Sequence, residues 1–198
     1  MKRIIIIVSG SGTNMENLVR RSQSGELPVE VVAVIGDRAG IAAKDRAANL
    51  KVPYIEINRK AYENKAAFEK AVTAEIKKAQ VDWIVLAGFM RILSDEFVLH
   101  FWGRIINIHP SYLPAFPGAD GLGDAFRAGV AETGVTVHFV DLGVDTGKVI
   151  LQKKVTICDG DTLEALETRV HAMEYEIYPA ALQMLIRSEV TPPAKPVS

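Results

Sequence analysis

Asn107 and His109 stand two residues apart in the stretch Asn107-Ile108-His109-Pro110-Ser111, directly after the apolar pair Ile105-Ile106 and before a loop rich in Pro and Gly from Leu113 to Gly123. Side chains two apart on a strand leave the same face. An amide and an imidazole that share a face where a strand ends can both donate to one oxygen. That suits stabilisation of an oxyanion developing at a carbonyl, where one preorganised donor is worth about 3 kcal/mol of barrier. A carboxylate drawn from Asp141-Leu142-Gly143-Val144-Asp145-Thr146-Gly147 would favour the charged imidazole. The same spacing also fits a His-Pro pair that merely ends a strand, with an Asp that shapes a turn.

A second group is Ser9-Gly10-Ser11-Gly12-Thr13-Asn14, between an apolar run and a helical stretch. Small residues let backbone amides approach an anion closely, and a helix N-terminus adds partial positive charge. Gly12, Thr13 and Asn14 are the candidate phosphate contacts. No Gly-Lys-Ser/Thr follows, and Glu16 or Asn17 stands where a dinucleotide fingerprint needs its third glycine, so a phosphomonoester fits better than a pyrophosphate. An ordinary glycine turn with an Asn or Thr cap explains the loop equally well. A third group, Leu86-Ala87-Gly88-Phe89-Met90-Arg91-Ile92-Leu93, leaves a strand where open α/β sheets bind ligands. It is either an apolar slot for a flat heterocycle or plain core at a strand end.

The elements that must position these groups alternate strand and helix, the pattern of a parallel sheet covered by helices. Strands are expected at Arg3 to Ser9, Val29 to Ile35, Tyr54 to Ile57, Asp82 to Ala87 and Arg104 to Ile108, with helices at Asn14 to Ser24, Ile41 to Leu50 and Lys65 to Ala79. Uninterrupted apolar strands imply that both sheet faces are covered. Beyond Gly118 a short helix from Asp124 to Ala131 precedes two β-rich runs, Val135 to Val140 and Val149 to Ile157, spaced for an antiparallel extension. Asp161, Thr162 and Glu164 open a long helix that reaches about Arg187 unless Pro179 kinks or divides it. One domain is expected over residues 1–190, with a disordered, Pro-rich tail at 191–198.

With 198 residues, 48% of them hydrophobic and 24% charged, the chain can bury a substantial core as one soluble, globular domain. A net charge of -1 argues against an extended nucleic-acid surface. Cys158 is the only cysteine, which excludes an intramolecular disulfide and a thiolate zinc cage and fits a reducing, cytoplasmic setting. The apolar run Ile4 to Val8 is too short to span a membrane. No pair of histidines has metal-ligand spacing, so no metal is expected. His138 reads as a satisfied strand residue and His100 as a helix-surface residue.

Taken together, Ser9 to Asn14, Leu86 to Leu93, Asn107 to Ser111 with Leu113-Pro114, Pro117-Gly118, Val137-His138-Phe139-Val140 and Asp145-Thr146-Gly147 resemble the phosphoribosylglycinamide formyltransferase family, from the first strand to about Ala180. The resemblance implies a Rossmann-like formyltransferase fold and formyl transfer from 10-formyltetrahydrofolate to the amine of 5-phosphoribosylglycinamide in purine (IMP) biosynthesis. The family's catalytic trio falls on Asn107, His109 and Asp145. It also implies the ribonucleotide phosphate on Gly12, Thr13 and Asn14, and Glu174 as acceptor for the ribose hydroxyls. The pterin would enter at Met90, Arg91, Ile92 and Leu93 beside Asn107, with the loop from Asp141 through Val144 to Asp145 closing over it. Lys65 takes a position that is arginine in some relatives and would attract the folate's glutamate carboxylate without the bidentate fork. The resemblance leaves room for a homodimer.

The chain departs from the family pattern at Ala119-Asp120-Gly121-Leu122-Gly123, where relatives often carry a histidine, and at Lys148 and Tyr112, which replace a frequent proline and leucine. Other readings are a hydrolase of the same donor, which would carry a second histidine where Pro110 stands, and a non-catalytic nucleotide-binding module. A nicotinamide-dependent dehydrogenase would use Asp37 as the acid ending the second strand.

Overall fold

The computed structural model describes residues 1–196; Val197 and Ser198, the last of the expected tail, lie outside it. Seven strands form one sheet in the order β3-β2-β1-β4-β5-β6-β7. They are β1 (Lys2–Val8), β2 (Val29–Gly36), β3 (Tyr54–Glu56), β4 (Trp83–Leu86), β5 (Ile105–His109), β6 (Glu132–Phe139) and β7 (Val149–Thr156). The first five are parallel, and β6 and β7 add antiparallel, as the spacing beyond Gly118 implied. The helices are α1 (Thr13–Gln23), α2 (Ala42–Asn49), α3 (Lys65–Ala79), α4 (Asp95–His100), α5 (Gly121–Arg127) and α6 (Leu163–Ile186).

Alternation along β1 shows why its run of isoleucines is uninterrupted. Ile4 and Ile6 join a core with Leu18 of α1 and Leu182 of α6, whereas Ile5 and Ile7 join a second core with Phe68 of α3 and Phe97 of α4. Both faces of the strand are dry, so every position pays in apolar burial. Between β1 and β4 the strand order reverses, and there the strand ends open a crevice.

Three elements differ from the sequence expectation. Helix α5 starts at Gly121, three residues early, because the Asp120 carboxylate accepts from Gly123 N and caps it in spite of two glycines. Strand β6 starts at Glu132, since pairing of Glu132 with Thr156 extends the hairpin past the apolar residues. Helix α4, which has a single apolar turn and so too little periodicity to read, is capped by Ser94 Oγ accepting from Phe97 N.

Pro179 neither divides nor ends α6. A proline inside a helix deprives the carbonyl four residues earlier of its donor. That carbonyl belongs to Tyr175, and Asn17 of α1 donates its side-chain Nδ2–H to it at 2.9 Å. The next turn is anchored as well: the buried Tyr178 hydroxyl donates to Leu86 O at 2.7 Å and lies 3.3 Å from Ile106 O, which lays α6 across the ends of β4 and β5.

Residues 191–196 contain no helix or strand but lie against the body of the protein. Lys148 Nζ donates to Thr191 O, and the Trp102 indole donates to Pro193 O and Ala194 O, each at 3.0 Å.

The pairing of Asn17 with Tyr175 O carries a prediction. Asn17→Leu leaves a half-buried carbonyl without donor or water, and the loss is about 1–3 kcal/mol of stability. Urea denaturation should show a lower midpoint at unchanged m; an unchanged midpoint would show that α6 tolerates Pro179 without this bond.

Candidate active site

Strand β5 delivers Asn107 and His109 to one face at its carboxyl end, opposite His138 and Thr136 of β6. The loop from β6 to β7 returns Asp145 to the same place. Asp145 holds a left-handed backbone angle, φ 55°, and its Oδ2 accepts from Gly118 N at 2.8 Å. That oxygen lies 3.5 Å from His109 Nδ1, and Oδ1 lies 3.5 Å from His138 Nε2. Asn107 Nδ2 sits 3.5 Å from the same His138 nitrogen. Amide, imidazole and carboxylate therefore meet, and the acid is Asp145, not Asp141.

His109 is 4% exposed, and both its ring nitrogens face acceptors. Nε2–H donates to Phe116 O at 2.8 Å while Nδ1 looks at the Asp145 carboxylate. Burial pushes the Asp145 carboxyl upward, but hydrogen bonds from His138 and the Gly118 N–H, together with the charges of both histidines, outweigh it and hold the acid below its ordinary range. An anion thus backs an imidazole ring beside a neutral amide donor. An oxyanion is the species such a pair stabilises.

His138 also reaches this cluster, a place that the sequence reading did not give it. It does lie on a strand, and its Nδ1–H is satisfied by Phe139 O at 2.8 Å. Its other nitrogen nevertheless faces Asp145 and Asn107. The signal was available in the antiparallel pairing of Asn107 with His138, which follows from laying β6 against β5.

The glycine loop sits at the carboxyl end of β1. Gly12 is in the left-handed region, φ 75°, at the N-cap of α1, and a Cβ there would lie 2.7 Å from Ala43 Cβ. Both facts demand glycine. Asn14, buried in the first turn, donates Nδ2–H to Glu174 Oε2 at 2.8 Å, while its Oδ1 has no partner among the described residues. The two residues, 160 positions apart, form one polar corner. Burial pushes the Glu174 carboxyl above the ordinary range, only partly countered by Asn14 and by the charge of His171. Since Glu174 stands one turn before Tyr178 on α6, the same face that touches Leu86 and Ile106 carries this corner toward β5.

Met90, Arg91, Ile92 and Leu93 line a cleft of about 380 Å³ with Lys65 and Phe68. Arg59 also lines it, a cation that sequence reasoning did not single out. Ser9 ties this segment to the glycine loop: its N–H donates to Gly88 O at 3.2 Å and its Oγ accepts from Met90 N at 2.9 Å. Met90 and Ile92 are 64% and 70% exposed, and Leu142 and Val144 are also exposed on the β6–β7 loop. Asp141 turns inward, with Oδ1 accepting from Gly143 N at 3.0 Å and from Thr146 Oγ1 at 2.7 Å, so it shapes that loop. Asn107, Asp141 and Val144 do not line the cleft itself. Asp37, the acid that a dehydrogenase would need, is fully buried and paired with Arg91 Nε. It offers no carboxylate to a ribose.

The chain is similar to known proteins over nearly its whole length. Residues 2–182 match the formyl transferase family. Phosphoribosylglycinamide formyltransferase of Bacillus subtilis is 42% identical over 186 residues, 94% of this chain and 95% of its own length. Among solved structures, glycinamide ribonucleotide transformylase 1 from Geobacillus kaustophilus superposes with a TM-score of 0.90 at 50% identity, covering 93% of this chain and 98% of that one. The transformylase 1 from Symbiobacterium toebii gives a TM-score of 0.94 at 38% identity, covering 98% and 92%.

The depressed acid at position 145 links stability to pH. Its contribution is complete above the unfolded carboxylate value of about 3.9 and disappears as pH falls through the lower folded value. Asp145→Asn should therefore flatten the rise in stability expected of the native protein as pH increases toward about 4, read by denaturant unfolding at acidic pH. Identical slopes for the two proteins would mean that the histidines and Gly118 do not hold the charge.

Proposed function

The chain belongs to the formyl transferase family, and we propose that Asn107, His109 and Asp145 carry the formyl group of 10-formyltetrahydrofolate to the primary amine of 5-phosphoribosylglycinamide, a step of purine (IMP) biosynthesis that its relative in Bacillus subtilis is named for. The amine attacks the formyl carbon, and the carbonyl oxygen becomes an oxyanion that Asn107 Nδ2–H and the His109 imidazolium stabilise. The proton lost by the amine leaves by way of Asp145 and returns to the folate nitrogen as its bond to carbon breaks. No group on the protein is acylated.

The observation that carries this reading is the meeting of Asp145 with His109 on the face that holds Asn107. It brings a carboxylate-backed imidazole and a neutral amide donor to one point, an arrangement that suits acyl transfer and that hydride transfer does not need. The ribonucleotide is assigned to the neighbouring corner, with its phosphate on the amides of Gly12, Thr13 and Asn14 and its ribose hydroxyls donating to Glu174. The pterin is assigned to the segment Met90 to Leu93, where exposed backbone and apolar side chains suit a flat heterocycle. The exposed Leu142 and Val144 would close over it, on a loop that Asp141 keeps in shape. Lys65, which lines the same cleft, is assigned to attract the carboxylates of the folate tail. The cytoplasm is the assigned setting.

Release of tetrahydrofolate from the formyl donor should depend on added ribonucleotide, and His109→Ala should lower kcat about 100- to 1,000-fold while changing the ribonucleotide Kd less than threefold. Turnover without ribonucleotide would instead identify a hydrolase. Equal losses in kcat and Kd would make His109 a binding residue.

A further inference from the structure

Arg46, on α2, reaches the glycine loop from outside the crevice. Its Nε–H donates to Ser11 O at 3.0 Å, and its Nη1 pairs with Glu16, which also accepts from Arg20 at 2.7 Å. The platform under it is rigid. Ala43 N, on the same helix, donates to Gly10 O at 3.3 Å, and the Gly12 backbone packs so closely on Ala43 that no Cβ fits between them.

The direction of the bond to Ser11 decides what it does. The peptide joining Ser11 to Gly12 is trans, since the one cis bond among the described residues is Leu113-Pro114. In a trans peptide the C=O and the N–H point to opposite sides. Fixing the Ser11 oxygen toward α2 therefore aims the Gly12 N–H away from α2. That N–H has no acceptor among the described residues, and the first amides of α1 have none within the helix. Beside them the buried Asn14 Oδ1 is also unpartnered and can receive a hydroxyl of the same ligand.

We propose that Arg46 is a positioning residue of the phosphate cradle: by holding the Ser11 carbonyl it presets the Gly12 N–H for the ribonucleotide phosphate. Glu16 holds the guanidinium in turn. Hydrogen bonds from Arg20 and Arg46 keep the Glu16 carboxyl below its ordinary range against the effect of burial, so the clamp stays charged at neutral pH. An amide aimed before the ligand arrives costs nothing to order at binding, which is where preorganisation gains affinity. Lysine cannot substitute, because only the planar fork of arginine reaches Ser11 O through Nε and Glu16 through Nη1 at once. The inference rests on the reading that Gly12 to Asn14 take the phosphate.

The test compares two ligands by calorimetry, the ribonucleotide and the riboside that lacks its phosphate, on the native protein, Arg46→Met and Arg46→Lys. For the ribonucleotide, Arg46→Met should weaken Kd about tenfold, the size of one hydrogen bond to a charged group. For the riboside, its Kd should stay within about twofold of native, as should kcat with saturating ribonucleotide, because neither involves the aimed amide. Arg46→Lys should lose several-fold on the ribonucleotide alone, and it decides the matter if Arg46→Met does not fold. Equal weakening of both ligands would reduce Arg46 to a general support of the fold, and a fully native Arg46→Lys would make its charge, not its aim, the useful property. Either overturns the proposal. Equal affinity of the native protein for the two ligands would instead overturn the cradle itself, an outcome visible before any variant is made.

Discussion

One carboxylate, that of Asp145, ties three separate stretches of chain to one point. It accepts from the Gly118 amide in the loop after β5, faces His109 at the end of β5, and faces His138 near the end of β6. The sheet exists in its mixed form to allow this. A parallel sixth strand would run its carboxyl end to the same edge and carry its following loop away over a helix, whereas the antiparallel β6 pairs His138 directly with Asn107 and sends the next loop back across them. The cost is a buried anion, and the hydrogen bonds that meet it decide whether the fold accepts it.

A second constraint comes from α6, which crosses the strand ends on the other side of the crevice. Its proline would break an isolated helix, but Asn17 supplies the donor that Tyr175 O lost, and Tyr178 fixes the following turn on β4 and β5. These contacts set the height of Glu174, one turn earlier, over the first strand, where Asn14 meets it. A helix at one end of the chain and a loop at the other thereby share a polar corner. The Asp145 cluster and the Asn14–Glu174 corner are consequently placed by different contacts, so each can be disturbed without the other.

Much of this was legible in the residues. The parallel core followed from uninterrupted apolar runs such as Ile4 to Val8, and the antiparallel extension from the spacing of its last two strands. Asn107 and His109 could be paired from their spacing, because period two is a property of any strand. Long-range partners were out of reach of such arguments. Nothing near Asn17 announces that its amide will mend a helix 158 residues away, and His138 looks like any polar residue in a strand until β6 is laid against β5. Local capping also went unread: Asp120 starts α5 across two glycines, which composition alone would place in a loop. Choosing Asp145 over Asp141 required the resemblance, since both acids flank the same turn and only the fold shows Asp141 folded back on Thr146.

The most direct measurement is a crystal structure with the ribonucleotide and a non-transferable folate analogue bound together. The account predicts that the carbonyl-like oxygen of the analogue lies about 2.7–3.1 Å from Asn107 Nδ2, beside the His109 ring, with the ribonucleotide amine directed at its carbon. A reacting carbon seated beyond reach of both Asn107 and His109, with the two ligands otherwise well ordered, would contradict it.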